Sequence, residues 1–363
     1  MILIYLLLIF LCLRFCITLF NFLSQPFLPP SPKLYDDLVS ILIPARNEEN
    51  NILELLKSIN NSTYKNLEII IADDGSTDET FSIVSNYILD KPNFTIFKIE
   101  TLPDGWLGKN HACFQLAKRA QGFYFLFLDA DEIIESSVID SGIHRIKTNK
   151  LHLLSLFCDQ KMDSLGERLV VPLMHYLLLS LLPLRLVYLS KNPSFSAASG
   201  QFMMFEAEHY KKEQWHEQLK NYVVEDVAII KLMKTELFRT ETLLANRFVK
   251  CRMYTGFNDA LNGFSKNLLA GFNYNLGALT FYFILIYFGF IALLFFPIWF
   301  SIFALTLITG IRIMISIISH QNIIYNLILH PLQMTSFVIV AILSVKKYIQ
   351  KNIVWKGRKI QPG

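Results

Sequence analysis

Asp129 and Asp131 stand one residue apart at the end of an aromatic and aliphatic run over residues 123–128. Such a run predicts a fully buried strand, and in open α/β sheets the residues just past a strand's carboxyl end face the ligand crevice. Two carboxylates so spaced can place oxygens on a hard cation such as Mg2+ or Mn2+, which keeps its other positions for water and substrate phosphates. Taken alone, an isolated pair of this kind is more often a solvated turn. Two further polar clusters share its setting, Pro44-Ala45-Arg46-Asn47-Glu48 and Asp73-Asp74-Gly75-Ser76-Thr77-Asp78. Each alone fits loop capping, but in a doubly wound sheet such ends converge on one rim, and together they favour a nucleotide site. Lys109 opens a helix, where backbone N–H groups favour an anion such as phosphate; it fits an ordinary surface lysine as well. Glu225 and Asp226 form an acidic pair at another helix start, a placement that the helix dipole favours by itself.

The elements that position these residues alternate strand and helix. Strands are predicted over 39–44, 67–72, 94–99, 123–131 and 151–157, with helices over 47–59, 79–89, 110–120 and 134–146 between them. Ile52, Leu55, Leu56 and Ile59 recur at helical spacing, and Thr77 or Asp78 can cap the helix that follows. Alternation of this kind predicts an α/β fold with a mostly parallel sheet and right-handed crossovers. A helix over 207–219 is also predicted, after the run Ser199-Gly200-Gln201-Phe202-Met203-Met204-Phe205.

The composition, 53% hydrophobic, is too apolar for a purely water-borne protein, and the excess is local. Residues 1–23 predict an uncleaved transmembrane anchor carrying the single charge Arg14, in preference to a signal peptide, because a basic start and a small-residue cleavage site are missing. A Pro-rich linker, 24–37, leads to the α/β domain, 38–272; a transmembrane region, 273–345, and a basic tail, 346–363, follow. Residues 169–189 are apolar but contain Pro172, His175, Pro183 and Arg185, which suits an interfacial helix pair, or a buried core hairpin, better than a membrane crossing. The net charge of +4 gives no ground for nucleic-acid binding. Cys12, Cys16, Cys113, Cys158 and Cys251 form no zinc pattern and read as packing residues in a reducing compartment.

The ordered set Ser40 to Glu48, Asp73 to Asp78, Gly108-Lys109-Asn110-His111-Ala112 and Asp129-Ala130-Asp131 resembles the signature of family 2 glycosyltransferases, which have the GT-A fold. Neither the Gly-x-x-x-x-Gly-Lys-[ST] loop nor the Gly-x-Gly-x-x-Gly fingerprint is present. The resemblance implies an inverting transfer from a nucleotide-diphosphate sugar, with a UDP-sugar as the expected donor. It implies a donor pocket of Pro44, Ala45, Arg46, Glu48, Asp73 and Asp74, Lys109 on the diphosphate, Asp131 on a divalent metal, and Asp129 on the ribose, the sugar or the metal through water. In such enzymes the second acid of a pair like Glu225-Asp226 is the catalytic base, so Asp226 takes that role and Glu225 orients a neighbour. His111 receives no catalytic role.

Gly105-Trp106-Leu107-Gly108-Lys109 resembles the branch associated with carotenoid and hopanoid glycosylation, which implies a membrane lipid acceptor; polyprenyl phosphate or a glycerolipid comes next. Gly200 and Gln201 fall on the family's acceptor-side strand. Arg252 stands where processive relatives carry Gln-x-x-Arg-Trp, but Met253 replaces the aromatic, which argues for addition of one sugar over polymer synthesis. Arg252 is left to bind diphosphate or acceptor. A non-catalytic nucleotide-sugar-binding membrane scaffold is the rival from another class.

The basic tail and the catalytic domain are both expected in the cytoplasm of a multi-pass cell-membrane protein, which requires an even number of crossings between them. Residues 276–296 and 327–345 supply two, so 297–318, interrupted by Gly310 and Arg312, is expected to be partly re-entrant or merged with its neighbours. Trp355-Lys356-Gly357-Arg358 resembles a short motif of membrane members of the family.

Overall fold

A computed structural model describes residues 2–272, 274–292, 297–350, 353–355 and 358–360. Two compact units divide the chain. A sheet unit comprises Pro26–Asp159, Arg185–Arg252 and Trp355–Gly363, and a helical unit comprises Met1–Gln25, Gln160–Leu184 and Met253–Val354.

The sheet unit is built on seven strands, β1 (Val39–Ala45), β2 (Leu67–Asp73), β3 (Phe94–Lys98), β4 (Tyr124–Leu128), β5 (Leu153–Phe157), β6 (Phe202–Glu206) and β7 (Thr240–Leu244), in the order β3-β2-β1-β4-β6-β5-β7. All run in one direction except β6, which is antiparallel to both β4 and β5. The central strands are buried on both faces, as their unbroken Ile, Leu and Phe runs require of a parallel sheet covered by helices. In register, Ala45 pairs with Asp73 and Leu42 with Phe127, so the ends of β1, β2 and β4 share one rim. Within the Pro-rich stretch the chain is held at the far edge: Leu244 N donates to Pro26 O (2.8 Å) and Leu28 N to Leu244 O (3.0 Å). Glu241 of β7 is buried against a forked pair from Arg145, at 2.7 and 2.6 Å.

Three expected helices are corrected. The helix expected over 47–59 is Ile52–Asn60, because Asn47 adopts φ 52° and its side-chain oxygen accepts the Thr77 N–H at 2.8 Å. Residues expected to start a helix at 134 instead form a strand, Glu132–Ile134, antiparallel to Val249–Cys251, and the helix is Val138–Asn149. The helix expected over 207–219 breaks at Gln214 (φ 51°) into Ala207–Glu213 and Trp215–Gln218. That break lets Trp215 bury completely and stack on Phe205, 5.5 Å away.

Among the described residues of the helical unit, three helices are long and apolar enough to cross a membrane, Tyr5–Ser24, Ile298–Ile318 and His330–Ile349, or four spans if the bent pair Phe257–Gly271 and Leu276–Ile286 counts as one. The segment expected to be re-entrant is thus a continuous helix through Gly310 and Arg312. Gly310 seats the Phe15 ring, since a Cβ there would lie 2.9 Å from Phe15 Cε2. The expected helix 276–296 is described as Leu276–Ala292, and 293–296 lie outside the described residues. Between 169 and 184 the chain forms Leu173–Leu181, about 13 Å long and too short to span a bilayer. It packs within its unit, where Asn21 Nδ2 donates to the carbonyls of Leu179 (2.9 Å) and Leu182 (2.8 Å) and Asn21 Oδ1 accepts from Leu184 N (2.8 Å). Of the tail, Lys351 and Lys356 lie outside the described residues, as does Gly357 of the run ending at Arg358.

The entry to β4 is closely packed. A Cβ on Gly122 would lie 2.7 Å from Ser40 N and 2.8 Å from Leu38 O, both backbone atoms. Gly122→Ala is therefore expected to destabilise the sheet unit by about 1–3 kcal/mol, the range for overpacking. The measurement is a lowered unfolding midpoint of the purified chain, and an unchanged midpoint would refute this packing.

Candidate active site

The site is assembled from loops that leave the shared rim. After β2, Asp73 is buried and accepts from Ser76 N (3.2 Å) and from the Ser76 hydroxyl. Gly75 takes φ 65°, which lets the chain turn there. The loop after β1 is tied to it, with Asp74 N donating to Ala45 O (2.8 Å) and Asn47 N to Ser76 Oγ (3.0 Å). Arg46 donates to the carbonyls of Asp74 and Gly75, and Glu48 N to Thr80 Oγ1 (2.7 Å). Pro44, Ala45, Arg46, Glu48, Asp73 and Asp74 are thus brought together in one loop pair tied by several hydrogen bonds.

The second group centres on Lys109, which enters from the helix Gly108–Arg119. Its Nζ lies 2.7 Å from Asp129 Oδ1 and 3.7 Å from Glu225 Oε1. Burial alone would lower the pKa of this ammonium, but Asp129 and then Glu225 outweigh it and hold it well above the ordinary lysine value. Gly200 closes the group: a Cβ on it would sit 3.1 Å from Lys109 Nζ, 3.5 Å from Glu225 Oε1 and 3.7 Å from Asp226 Oδ2. Asp226 is oriented by two backbone N–H groups, Gly200 N on Oδ2 and Val227 N on Oδ1, each at 2.8 Å. Burial raises the Asp226 carboxyl, and burial likewise lifts that of Glu225, to about 7, against the opposing pull of Lys109. Gln201 is buried beside them, its carbonyl accepting from Asp129 N (3.3 Å). Arg252 is exposed directly after the strand Val249–Cys251 and takes no part in the Lys109 ion pairs.

Asp131 belongs to a third group. One ligand atom each of Asp131, Glu132 and Cys251 lies within 4.8 Å of the others, and the Cys251 thiol donates to Asp131 Oδ2 at 3.4 Å. Burial, then the carboxylates of Asp129 and Glu48, push Asp131 up to about 7. Glu132 is fully buried, and neither of its side-chain oxygens has a hydrogen-bond partner. Two hard carboxylates, one with orphaned buried oxygens, fit a divalent cation in their chemistry.

Three contributors receive no site role of their own in the sequence reading. Glu132 directly follows the aspartate pair, so its position was visible there. Cys251 reaches Asp131 only through the antiparallel pairing of Val249–Cys251 with Glu132–Ile134, which no local pattern announces. Asn110 donates to the carbonyls of Leu219 (2.9 Å), Lys220 (3.3 Å) and Tyr222 (3.1 Å), clamping the loop before the helix Glu225–Thr235 onto the helix of Lys109. His111 packs edge-on against Trp106, with ring centroids 5.2 Å apart.

A second cluster, His152, Glu206 and His209, lies at the opposite end of β4, where Tyr124 pairs with Glu206. His152 Nδ1 accepts from Arg239 N (3.0 Å), which leaves the neutral ring's proton on Nε2 and makes that ring a poor metal donor.

Residues 40–213 match the family model described as Glycosyl transferase family 2. A 4,4'-diaponeurosporenoate glycosyltransferase of Staphylococcus haemolyticus is 26% identical over 236 residues, 64% of this chain and 61% of the relative. A UDP-Glc:alpha-D-GlcNAc-diphosphoundecaprenol beta-1,3-glucosyltransferase of Escherichia coli is 36% identical over 120 residues, 32% of this chain and 43% of the relative. The chain thus spans less than two thirds of the length of these relatives. Among solved structures, a mannosyltransferase from Pyrobaculum calidifontis in complex with GDP-Man and Mn2+ aligns over 94% of this chain and 99% of its own, with a TM-score of 0.56 and 16% identity. That likeness shows the fold, a GT-A fold with a mostly parallel central sheet. Residues 40–213 thus form a domain that matches glycosyl transferase family 2.

Proposed function

We propose that this chain moves one sugar, with inversion, from a UDP-linked donor to a membrane lipid acceptor of carotenoid or hopanoid type. The observation that carries the reading is the meeting of Lys109, Asp129, Glu225 and Asp226 around Gly200 at the sheet rim. Two relatives support the donor and acceptor classes by name, one acting on 4,4'-diaponeurosporenoate and one on a diphosphoundecaprenol with UDP-Glc. The apolar helices support a multi-pass membrane protein. With the bent pair left uncounted, Ile298–Ile318 and His330–Ile349 would give two crossings, the even number that a cytoplasmic catalytic domain and a cytoplasmic tail require.

In this mechanism the loop pair of Pro44, Ala45, Arg46, Glu48, Asp73 and Asp74 lines the nucleoside pocket, with Arg46 holding the Asp74 and Gly75 carbonyls in place. Lys109 holds the diphosphate, and Glu225 keeps its ammonium oriented. Asp131, with Glu132 beside it, would hold Mg2+ or Mn2+, which when bound supplies positive charge against the diphosphate. Each Asp226 oxygen accepts one backbone N–H and retains lone-pair capacity for an acceptor hydroxyl. As that hydroxyl oxygen bonds to the anomeric carbon, its proton passes to Asp226. The bond from the anomeric carbon to the diphosphate breaks on the opposite face, and its electron pair leaves with the nucleotide. The N–H groups of Lys109 balance the charge that develops there.

Asp226→Asn is expected to lower sugar transfer by roughly 100-fold or more, the scale of a general base, while UDP-sugar binding measured by calorimetry stays intact. Asp131→Ala is expected to abolish both transfer and the Mn2+ dependence of UDP-sugar binding. Full activity of either variant at saturating Mn2+ would remove the corresponding role.

The base works only when ionised, and burial raises its carboxyl in the folded chain. Transfer is therefore expected to be full above that raised value and to fall as pH drops through it, at a higher pH than an ordinary aspartate would give. A kcat/KM profile whose acid limb lies at the ordinary carboxylate position would contradict this environment for Asp226.

A further inference from the structure

Two arginines are buried within the helical unit, Arg14 in the helix Ile2–Ser24 at 3% exposure and Arg312 in Ile298–Ile318 at 2%. Among the described residues neither has an ion pair. The apolar helices Ile2–Ser24, Leu276–Ala292, Ile298–Ile318, Ile323–Ile328 and His330–Ile349 contain no Asp or Glu at all. The partners the arginines do have are neutral. Arg14 donates through Nε (3.2 Å) and Nη2 (2.7 Å) to Ser180 Oγ, and Arg312 Nε donates to His330 Nδ1 (2.7 Å). Arg312 Nη2 is buried with no hydrogen-bond partner. Both guanidinium groups approach the ring of Tyr176, at 4.6 Å from Arg14 and 3.8 Å from Arg312. One ring shared by two cations softens their burial but supplies no counter-charge.

A cavity of about 40 Å³ adjoins Arg14. Arg14, Tyr176 and His330 form its polar side, and Leu7, Phe10 and Ala304 are among its apolar walls. Because His330 Nδ1 accepts from Arg312, the neutral ring carries its proton on Nε2 and is a donor there. The polar side is therefore cationic and donor-rich, inside a wall that is otherwise hydrocarbon. One water needs roughly 10–15 Å³ of such space, so the cavity admits more than a single water. Water would satisfy the donors and leave the charge, whereas an acid group answers both. In transmembrane segments, ionisable residues mark binding and transport paths more often than packing.

We propose that the helical unit binds an anionic amphiphile, its carboxylate or phosphate head against Arg14 and its apolar chain along the hydrocarbon walls of this cavity. The site rests on the helical unit alone and stands whether or not the transfer reaction is assigned correctly. It commits to the charge and apolar character of the ligand, which a fatty or polyene acid and a lipid phosphate share.

The test uses the full chain in a neutral maltoside detergent, with labelled hexadecanoate, hexadecyl phosphate and hexadecanol as probes in equilibrium dialysis. The expected result is one saturable site for which the anions compete and which the neutral alcohol occupies at least tenfold more weakly. Tighter binding of hexadecanoate marks an organic acid as the natural head, and tighter binding of hexadecyl phosphate marks a lipid phosphate. Arg14→Gln is expected to remove the preference for anions over hexadecanol, and Arg14→Lys to restore much of it. Ala304→Leu keeps both charges and narrows the cavity, so it is expected to weaken both anions tenfold or more. Equal binding of alcohol and acids by the wild-type chain would overturn the proposal, as would wild-type affinity for the anions in both Arg14→Gln and Ala304→Leu. An unchanged unfolding midpoint of the purified full chain serves as the folding control for each variant.

Discussion

Lys109 is the cation against which the sheet unit sets its site carboxylates. Asp129 reaches it from the end of β4 and Glu225 from the start of a helix nearly a hundred residues later, so one ammonium joins segments that no backbone ladder connects. Pairing of this kind matters because a carboxylate taken out of water without a counter-charge is costly, and attraction strengthens as the surroundings lose water. The neighbouring Asn110 repeats the connection without charge, holding three carbonyls of the loop before Glu225. Lys109 and Asn110 are consecutive in the first turn of one helix, so its placement carries the acidic pair with it. Under the proposed reading, a diphosphate that takes Lys109 competes with Asp129 and frees that carboxylate for the donor's hydroxyls.

The parallel core was legible because its strands are apolar on both faces, and only buried strands of a covered sheet tolerate that. The rim clusters were legible for a related reason: polar residues following such strands have one place to go. What escaped the local pattern were positions decided by the backbone's rarer conformations. Asn47 and Gln214 take left-handed geometry, and each ends or delays a helix that periodicity alone continues. At Glu132–Ile134 an apolar pair that suits a helix start was claimed by a distant strand. Cys251 arrived beside Asp131 by that same pairing, so its packing reading from sequence missed a contact only tertiary structure creates.

The helical unit shows a different limit. Gly310 and Arg312 argued against a regular span, yet both are accommodated by partners rather than by a break. Phe15 fills the space left by the missing Cβ, and Arg312 turns into the protein toward Tyr176 and His330. Asn21 acts in the same way, using both ends of its amide to hold the turn after Leu173–Leu181. Polar residues in apolar helices here fasten helix to helix, which hydrophobic attraction alone does poorly in a lipid environment.

The two units therefore answer buried charge in opposite ways. In the sheet unit Lys109 has two carboxylates and Arg145 has Glu241 in a forked pair, so these two cations are balanced within the chain. The helical unit owns three carboxylates, Asp163, Glu167 and Asp259. Glu167 is engaged in a capping box and also accepts from Gly256 N, and Asp259 accepts from Thr255 N. None forms an ion pair with Arg14 or Arg312 among the described residues. The imbalance is visible in the sequence as apolar helices with arginines and no acids, but its meaning is not, because an arginine in such a helix can also reach the membrane surface. Burial of both guanidinium groups at one tyrosine ring removes that alternative and leaves a positive charge that a ligand from outside the chain can neutralise.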